Sequence, residues 1–236
     1  MALLTRCAAL AACTLFLAAP VSAAEKRFGL SSFEAIEVTA DVVVEVVARA
    51  PVSAVATGSP AALDRLTVET RDGKLVIGQK IYAGDENRRQ PLEPVTLRIN
   101  AANLRSATLV GAGSLQVDQL KGTKVMIGLR GPGRVTVGTV TSDRLTVTII
   151  GNGTMTLGGT AKAAQMTLSG AGVVDAGKLK VDALVSDSEG SGDHVFTAVK
   201  SAAITARGVG KTVVLGKPVC TVRNVGGGTV QCGAAK

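Results

Sequence analysis

The sequence repeats a Gly-x-Gly motif seven times at almost constant spacing. Successive first glycines are 20, 20, 19, 20, 18 and 18 residues apart, at Gly111, Gly131, Gly151, Gly170, Gly190, Gly208 and Gly226. Such a period is typical of proteins that stack one small structural unit many times along an axis. Because a unit that contains a strand, a crossover helix and a second strand needs about 30 residues, the period favours units built only from short strands and bends.

Apolar and polar residues alternate on both sides of each motif. Apolar residues recur four, six and nine residues after the first glycine, and six, four and two residues before it. A period of two places these side chains on one face of a strand, so we expect them to point into a common core. The column nine residues after the glycine consists of Leu120, Val140, Leu179 and Val199.

These patterns predict an all-β fold, a right-handed single-stranded β-solenoid (β-helix) with coils of about 20 residues and three short strands per coil. Stacked coils are spaced by about 4.8 Å, and the right-handed winding follows from the general preference of crossover connections. The glycines suit a bend that needs positive φ or close approach to the neighbouring coil. A β-sandwich is the alternative fold, and the regular spacing of one motif argues against it.

The chain divides into three regions. Residues 1–24 resemble a secretory signal peptide, with Arg6, then an uncharged apolar stretch, then small residues that allow cleavage after Ala23 or Ala24. A lipoprotein signal that ends at Cys13 is the alternative. Residues 25–100 are rich in β-strand patterns but lack Gly-x-Gly, so they form either an N-terminal cap or irregular first coils. Residues 101–233 form the repeat solenoid.

The signal peptide predicts an exported protein that is periplasmic, associated with the outer membrane or secreted. Its removal takes away Arg6 and lowers the net charge from +8 to +7. No later segment is long and apolar enough to span a membrane. The oligomeric state is left open by the sequence.

The composition excludes several classes of function. Aromatic residues make up 2% of the chain, Trp is absent and there is one His. Proteins that stack nucleic-acid bases need aromatic faces, so we expect no specific nucleic-acid binding. The single histidine, His194, lies in an inward column, where we expect a structural role. We predict no cofactor, no metal site and no catalytic residues.

Two cysteines remain after removal of the signal peptide. Cys220 lies six residues before Gly226 and Cys232 lies six residues after it, so both fall in inward columns on the two arms of one bend. An even pair of cysteines in an exported chain predicts a disulfide, with two buried free thiols as the alternative.

Lysines recur at one position of the repeat. Lys121, Lys180 and Lys200 lie ten residues after the first glycine of their copies, and Lys162 lies eleven residues after. This spacing predicts a basic seam along one edge of the solenoid, interrupted at Thr141, which would bind an acidic glycan or lipopolysaccharide weakly and with strong salt dependence. The alternative is a solvated turn whose charges prevent edge-to-edge aggregation.

Three segments resemble the bacterial head GIN domain family of autotransporter adhesins. They are residues 33–38 (FEAIEV), residues 104–113 (LRSATLVGAG) and residues 216–220 (GKPVC), and the resemblance extends over residues 33–233. The resemblance implies an exported β-helix-like protein and supplies no catalytic residues.

These observations together predict a non-catalytic exported β-solenoid of the cell envelope, an adhesin or a surface-binding or structural module. The alternative is a β-helix enzyme that acts on an acidic polysaccharide. Such an enzyme needs convergent carboxylates, and among the aspartates of the repeats only Asp143 and Asp182 share a column, two coils apart.

Overall fold

The structure is a computed structural model that describes residues 24–80 and 94–234. Residues 1–23 of the expected signal peptide and the polar segment 84–91 lie outside the described residues. The described N-terminal elements are β1 (Ala24–Phe28), β2 (Ala35–Val38), β3 (Val43–Val47), β4 (Ser53–Gly58), α1 (Pro60–Arg65), β5 (Leu66–Arg71), β6 (Lys74–Gln79), β7 (Thr96–Asn100) and β8 (Ser106–Val110). The described C-terminal elements are β9 (Ser114–Arg130), β10 (Arg134–Ile150), β11 (Thr154–Gly170), β12 (Val173–Gly190), β13 (His194–Gly208), β14 (Lys211–Leu215), β15 (Val219–Val225) and β16 (Thr229–Ala234).

The repeat region is a β-solenoid, as the period predicts. β9 to β13 are parallel, each pairs with the next along the chain, and their residues stack in register. Val147, for example, pairs with Ile127 on one side and with Met166 on the other. Backbone pairing continues through two of the three bends of each coil, so the three expected short strands join into one bent strand of 15 to 18 residues.

The Gly-x-Gly motifs form the remaining bend of each coil. The first glycine of all seven copies has a φ between +108° and +141°, a conformation that favours glycine. The second glycine lies against the neighbouring coil. A Cβ on Gly153 would lie 2.6 Å from the carbonyl oxygen of Gly133, which is closer than real Cβ atoms approach. The motif therefore recurs because the bend needs positive φ at the first glycine and the absence of a side chain at the second.

The interior consists of the apolar columns that the alternation predicts, except at Val199 and in the last coil, where the inward columns become partly exposed. Leu120, Val140 and Leu179 are completely buried, but Val199 is 50% exposed, so its predicted inward position is wrong. The coil that contains Val199 is shortened to 18 residues, and the register shifts between β12 and β13. Ala198, which pairs with Val181, is buried in this coil.

The stacked strands of successive coils form three sides of the solenoid, and we call two of them the first and the second wall. The first wall contains the strand residues just after each Gly-x-Gly, together with β3, β7, β14 and β16. The second wall contains the strand residues just before each Gly-x-Gly, together with β2, β6, β8 and β15. The third side, between the two walls, holds the lysines that the sequence singles out.

The N-terminal region both continues the solenoid and caps it. β2 and β3 stack on β8 and β9, and β6 and β7 stack outside β2 and β3, so the order of these coils differs from their order in the chain. The antiparallel strands β5, β4 and β1 extend the two walls beyond these coils. The helix α1 begins after Ser59, whose Oγ accepts a hydrogen bond from the Ala62 amide, and it buries Ala62 and Leu63.

The C-terminal end carries the predicted disulfide. Cys220 and Cys232 are bonded, with their Cα atoms 6.3 Å apart. Both cysteines continue inward columns, because Cys220 pairs with the buried Ala202 and Cys232 with the buried Val214. Cys220 is nevertheless exposed and Cys232 is half-buried, since no described strand stacks beyond them.

Candidate functional site

A groove of about 930 Å³ runs across the outer face of the second wall. It lies over β6, β2, β8 and the last parts of β9 and β10, which pair in that order. On β9 the inward side chains of Ile127 and Leu129 are buried, while Met126, Gly128 and Arg130 face outward. The volume is within the range of about 300–1,000 Å³ that is typical of ligand sites.

The floor of the groove combines hydroxyl groups with a small apolar surface. Glu37, Thr108, Gly128 and Thr148 follow one another in register across four strands. A side chain at Gly128 would crowd Thr108, because an added Cβ would lie 3.2 Å from the threonine side chain. In the adjacent column, Met126 lies between Ser106 and Thr146 and is 58% exposed.

The cations of the groove differ in whether a carboxylate neutralises them. Arg105 forms an ion pair with Glu34, and the Lys74 Nζ lies 2.9 Å from a Glu37 carboxylate oxygen. Lys124 and Arg130 form no ion pair with any residue of 24–80 or 94–234.

These two unpaired cations lie at opposite edges of the groove. Six residues separate Lys124 from Arg130 along β9, a distance of roughly 20 Å in an extended strand. Lys124 pairs in register with Arg144 of β10, which also lacks an ion-pair partner in the described part of the chain. An anionic ligand that lies along the groove would therefore meet positive charge at each end.

The four lysines of the expected seam lie in two columns of the third side. Lys121 and Lys180 share one column, but two threonines lie between them. Lys121 pairs with Thr141, Thr141 pairs with Thr160, and Thr160 pairs with Lys180. Lys162 and Lys200 are displaced from this column, because their coils contain 19 and 18 residues instead of 20. The structure thus contains the interruption expected at Thr141, and Thr160 is a second polar, uncharged residue in the same column.

Lys162 and Lys200 are held by carboxylates. The Lys162 Nζ lies 2.7 Å from Asp143 Oδ1, and the Lys200 Nζ lies 2.7 Å from Asp182 Oδ2. The hydrogen bond from Lys162 to Asp143, and the charge of that carboxylate, raise the pKa of Lys162. Asp143 and Asp182, the two aspartates that share a column of the repeat, are therefore both paired with lysines.

His194 is buried in an inward column, as the sequence predicts. It pairs with Val174 on one side and Thr212 on the other, and its ring meets Phe196 edge-on, with the ring centroids 6.2 Å apart. Neither ring nitrogen has a hydrogen-bond partner among the described residues, and burial lowers the pKa of His194 to about 4. A cavity of about 10 Å³ lies beside the ring, close to the space that one water molecule requires.

Two of the acidic residues near His194 form hydrogen bonds within the fold. Asp187 accepts a hydrogen bond of 2.6 Å from Arg207, and Asp193 accepts one of 2.9 Å from the Lys211 amide. Over residues 24–80 and 94–234, no group of three or more His, Cys, Asp and Glu side chains is arranged to bind a metal ion.

Sequence reasoning missed the groove residues. Lys124 has one basic counterpart, Arg144 in the next coil, and Arg130 stacks between Val110 and Ile150, so neither belongs to a long basic column of the repeat. Only the tertiary position of β2 and β6 makes a groove beside them. The signal that could have found this face is Gly128. It interrupts an outward column in which the neighbouring coils carry Thr108 and Thr148.

The family model described as "putative auto-transporter adhesin, head GIN domain" matches residues 32–218. The chain belongs to this family. The match includes the two intercalated N-terminal coils and most of the solenoid, and therefore the whole groove. A search of curated proteins found no match.

Several solved structures have the same fold as this chain. A putative adhesin from Bacteroides fragilis NCTC 9343 has a TM-score of 0.82 and 22% identity, over 89% of this chain and 97% of its own. A putative lipid binding protein from Parabacteroides distasonis ATCC 8503 has a TM-score of 0.70 and 18% identity, over 90% and 97%. A putative adhesin from the same strain has a TM-score of 0.69 and 20% identity, over 89% and 96%. Within the described residues, no helix is long and apolar enough to cross a membrane.

Proposed function

We propose that this head GIN domain is an exported, non-catalytic adhesive module that binds an acidic glycan through the groove on its second wall. The observation that carries the proposal is the pair of unpaired cations, Lys124 and Arg130, at the two edges of that groove. The hydroxyl groups of Thr108 and Thr148 lie between them and suit the hydroxyl-rich surface of a sugar chain. The acidic glycan can be a free polysaccharide or the saccharide part of lipopolysaccharide.

The non-catalytic part of the proposal is supported by the aspartates that an enzyme would need. Asp143 and Asp182 are each bound to a lysine at 2.7 Å. Each of these carboxylates is therefore engaged by a lysine ammonium group and is not positioned as a general acid beside a substrate. Export is supported by the residues 1–24 pattern and by the adhesin description of the family.

The groove and the lysines of the third side can be distinguished by matched variants. We expect the double variant Lys124→Gln/Arg130→Gln to bind immobilised heparin about fivefold more weakly than the unchanged protein, because two exposed charge contacts are lost. The control is Lys162→Gln/Lys200→Gln, which removes the same charge from lysines already paired with aspartates. Retention should fall as salt rises, because exposed charges are screened.

The same variants on a surface coated with lipopolysaccharide distinguish the source of the glycan. Loss on both surfaces indicates general recognition of anionic sugars, and loss on lipopolysaccharide alone indicates that source. Equal loss for the groove variant and the control would contradict the proposal. So would a variant of Lys121, Lys162, Lys180 and Lys200 that loses binding while the groove variant retains it.

A further inference from the structure

The two ends of the solenoid are finished differently. At the N-terminal end, α1 and the antiparallel strands β1, β4 and β5 flank the first coils. At the C-terminal end, the inward columns become exposed in the last coil. Ile204 is 1% exposed, whereas Val222, which stacks on it, is 44% exposed.

The edge at the C-terminal end also lacks the charges that protect open strands. In the described part of the chain, β15 pairs only with β13 and β16 pairs only with β14. Their thirteen residues include one charged side chain, Arg223, which pairs with Thr205 in an outward column. By contrast, β1 carries three charges in five residues. Exposed strand edges in monomeric proteins normally carry such charges. The composition of this edge therefore resembles that of a strand edge that another chain covers.

The shape of this end is complementary to itself. β16 is the last strand of the first wall, and it belongs to the coil after the one that contains β15, the last strand of the second wall. The end surface is therefore a step one strand high, about 4.8 Å. A two-fold axis through the step would place the β16 of each molecule beside the β15 of the other. The strands would run antiparallel, and the uncharged inward columns would meet.

We propose that two copies of this chain associate through their C-terminal ends, with β16 of each copy pairing with β15 of the other. The new strand pairs satisfy the open backbone groups of both edges. They also cover Val222 and Val230, which the single chain leaves exposed and half-buried respectively. The disulfide between Cys220 and Cys232 links β15 to β16 and so fixes the step that the partner must match. This inference is independent of the groove.

Sedimentation equilibrium of the oxidised mature chain, over micromolar to hundred-micromolar concentrations, tests the association. We expect twice the mass of one chain. Val222→Asp places a charge in the inward column at the interface, and we expect it to raise the dissociation constant at least 100-fold. The matched control is Val225→Asp, on the same strand but in an outward column and 50% exposed, which should remain dimeric.

Hydrogen exchange on the unchanged chain keeps the test independent of any folding defect in Val222→Asp. Amides of residues 219–225 and 229–234 should become more protected as concentration rises, while those of residues 111–172 should not change. A monomer at all concentrations, or exchange that does not depend on concentration, overturns the proposal. The proposal is also overturned if the Val222→Asp variant remains a dimer. It is overturned as well if Val225→Asp weakens the dimer as much as Val222→Asp does.

Discussion

At the scale of single residues, close approach between coils decides which positions must be glycine. Gly153 lies so near the coil below that a Cβ would come within 2.6 Å of the Gly133 carbonyl oxygen. We expect Gly153→Ala to lower the free energy of unfolding by about 1–3 kcal/mol, because the backbone must shift to relieve the overlap. Chemical denaturation measures this change.

Gly122 provides the matched control for that substitution. A Cβ at Gly122 would meet its nearest neighbours at 3.5 Å, an ordinary contact distance. We expect Gly122→Ala to change the free energy of unfolding by less than about 0.5 kcal/mol. Equal destabilisation by the two alanines would show that close coil contact does not explain the second glycine of the motif.

His194 makes the stability of the fold depend on pH. Its pKa is about 4 in the folded chain and 6.5 in the unfolded chain, so between these values the unfolded chain binds more protons. The contribution of neutral, buried His194 to the free energy of unfolding is therefore complete above pH 6.5, and it is lost as the pH falls towards 4. The difference in pKa corresponds to about 3 kcal/mol at most.

Denaturation curves for the unchanged protein and for His194→Met between pH 7.5 and 4.5 measure this effect. Methionine already occupies the same column at Met155, two coils away. Because the chain contains one histidine, the difference between the two pH profiles isolates it from the carboxylates that titrate in both proteins. We expect the unchanged protein to lose more stability on acidification, and parallel profiles would show that His194 does not titrate as described.

At the scale of strands and coils, the sequence predicts columns well but predicts their alignment poorly where coils shorten. The alternation of apolar residues correctly places Leu115, Val135 and Met155 inside. The same counting wrongly places Val199 inside the solenoid. It also places Lys162 and Lys200 in one seam with Lys121 and Lys180, although the structure puts them in a different column. Both errors arise because counting from the glycine assumes coils of equal length. The structure absorbs the missing residues as register shifts, and a one-residue shift reverses which face a side chain occupies.

The last coil depends on its covalent bond more than the coils below it. The Cys220–Cys232 disulfide closes a loop with a sequence separation of 12, and a loop of this size stabilises by about 3 kcal/mol in the chain-entropy model. We expect Cys220→Ser/Cys232→Ser to speed hydrogen exchange after residue 217, because within its own chain this last coil stacks on a single neighbouring coil. Exchange over residues 111–172 should be unchanged, and faster exchange there would mean that the disulfide stabilises the whole solenoid.

At the scale of the whole molecule, periodicity predicts the solenoid but not the groove. The seven motifs define the axis, the coil length and the core columns. The groove requires β2 and β6 to stack beside β8, and this happens because the coil of residues 35–47 lies between coils that follow it in the chain. Residues 25–100 carry no repeat from which that order could be deduced. Lys124 and Arg130 therefore gain their significance only from the tertiary structure.

The proposal that the groove binds an anionic glycan is tested most directly by methyl signals in the protein itself. Apart from Met1, the methionines are Met126 in the groove, 58% exposed, and Met155 and Met166 in the core, both almost fully buried. Titration of the methyl-labelled mature chain with a heparin oligosaccharide should shift the Met126 signal, and the two core signals should remain in place as internal controls. A Met126 signal that does not move while the oligosaccharide binds would contradict the groove as the binding site.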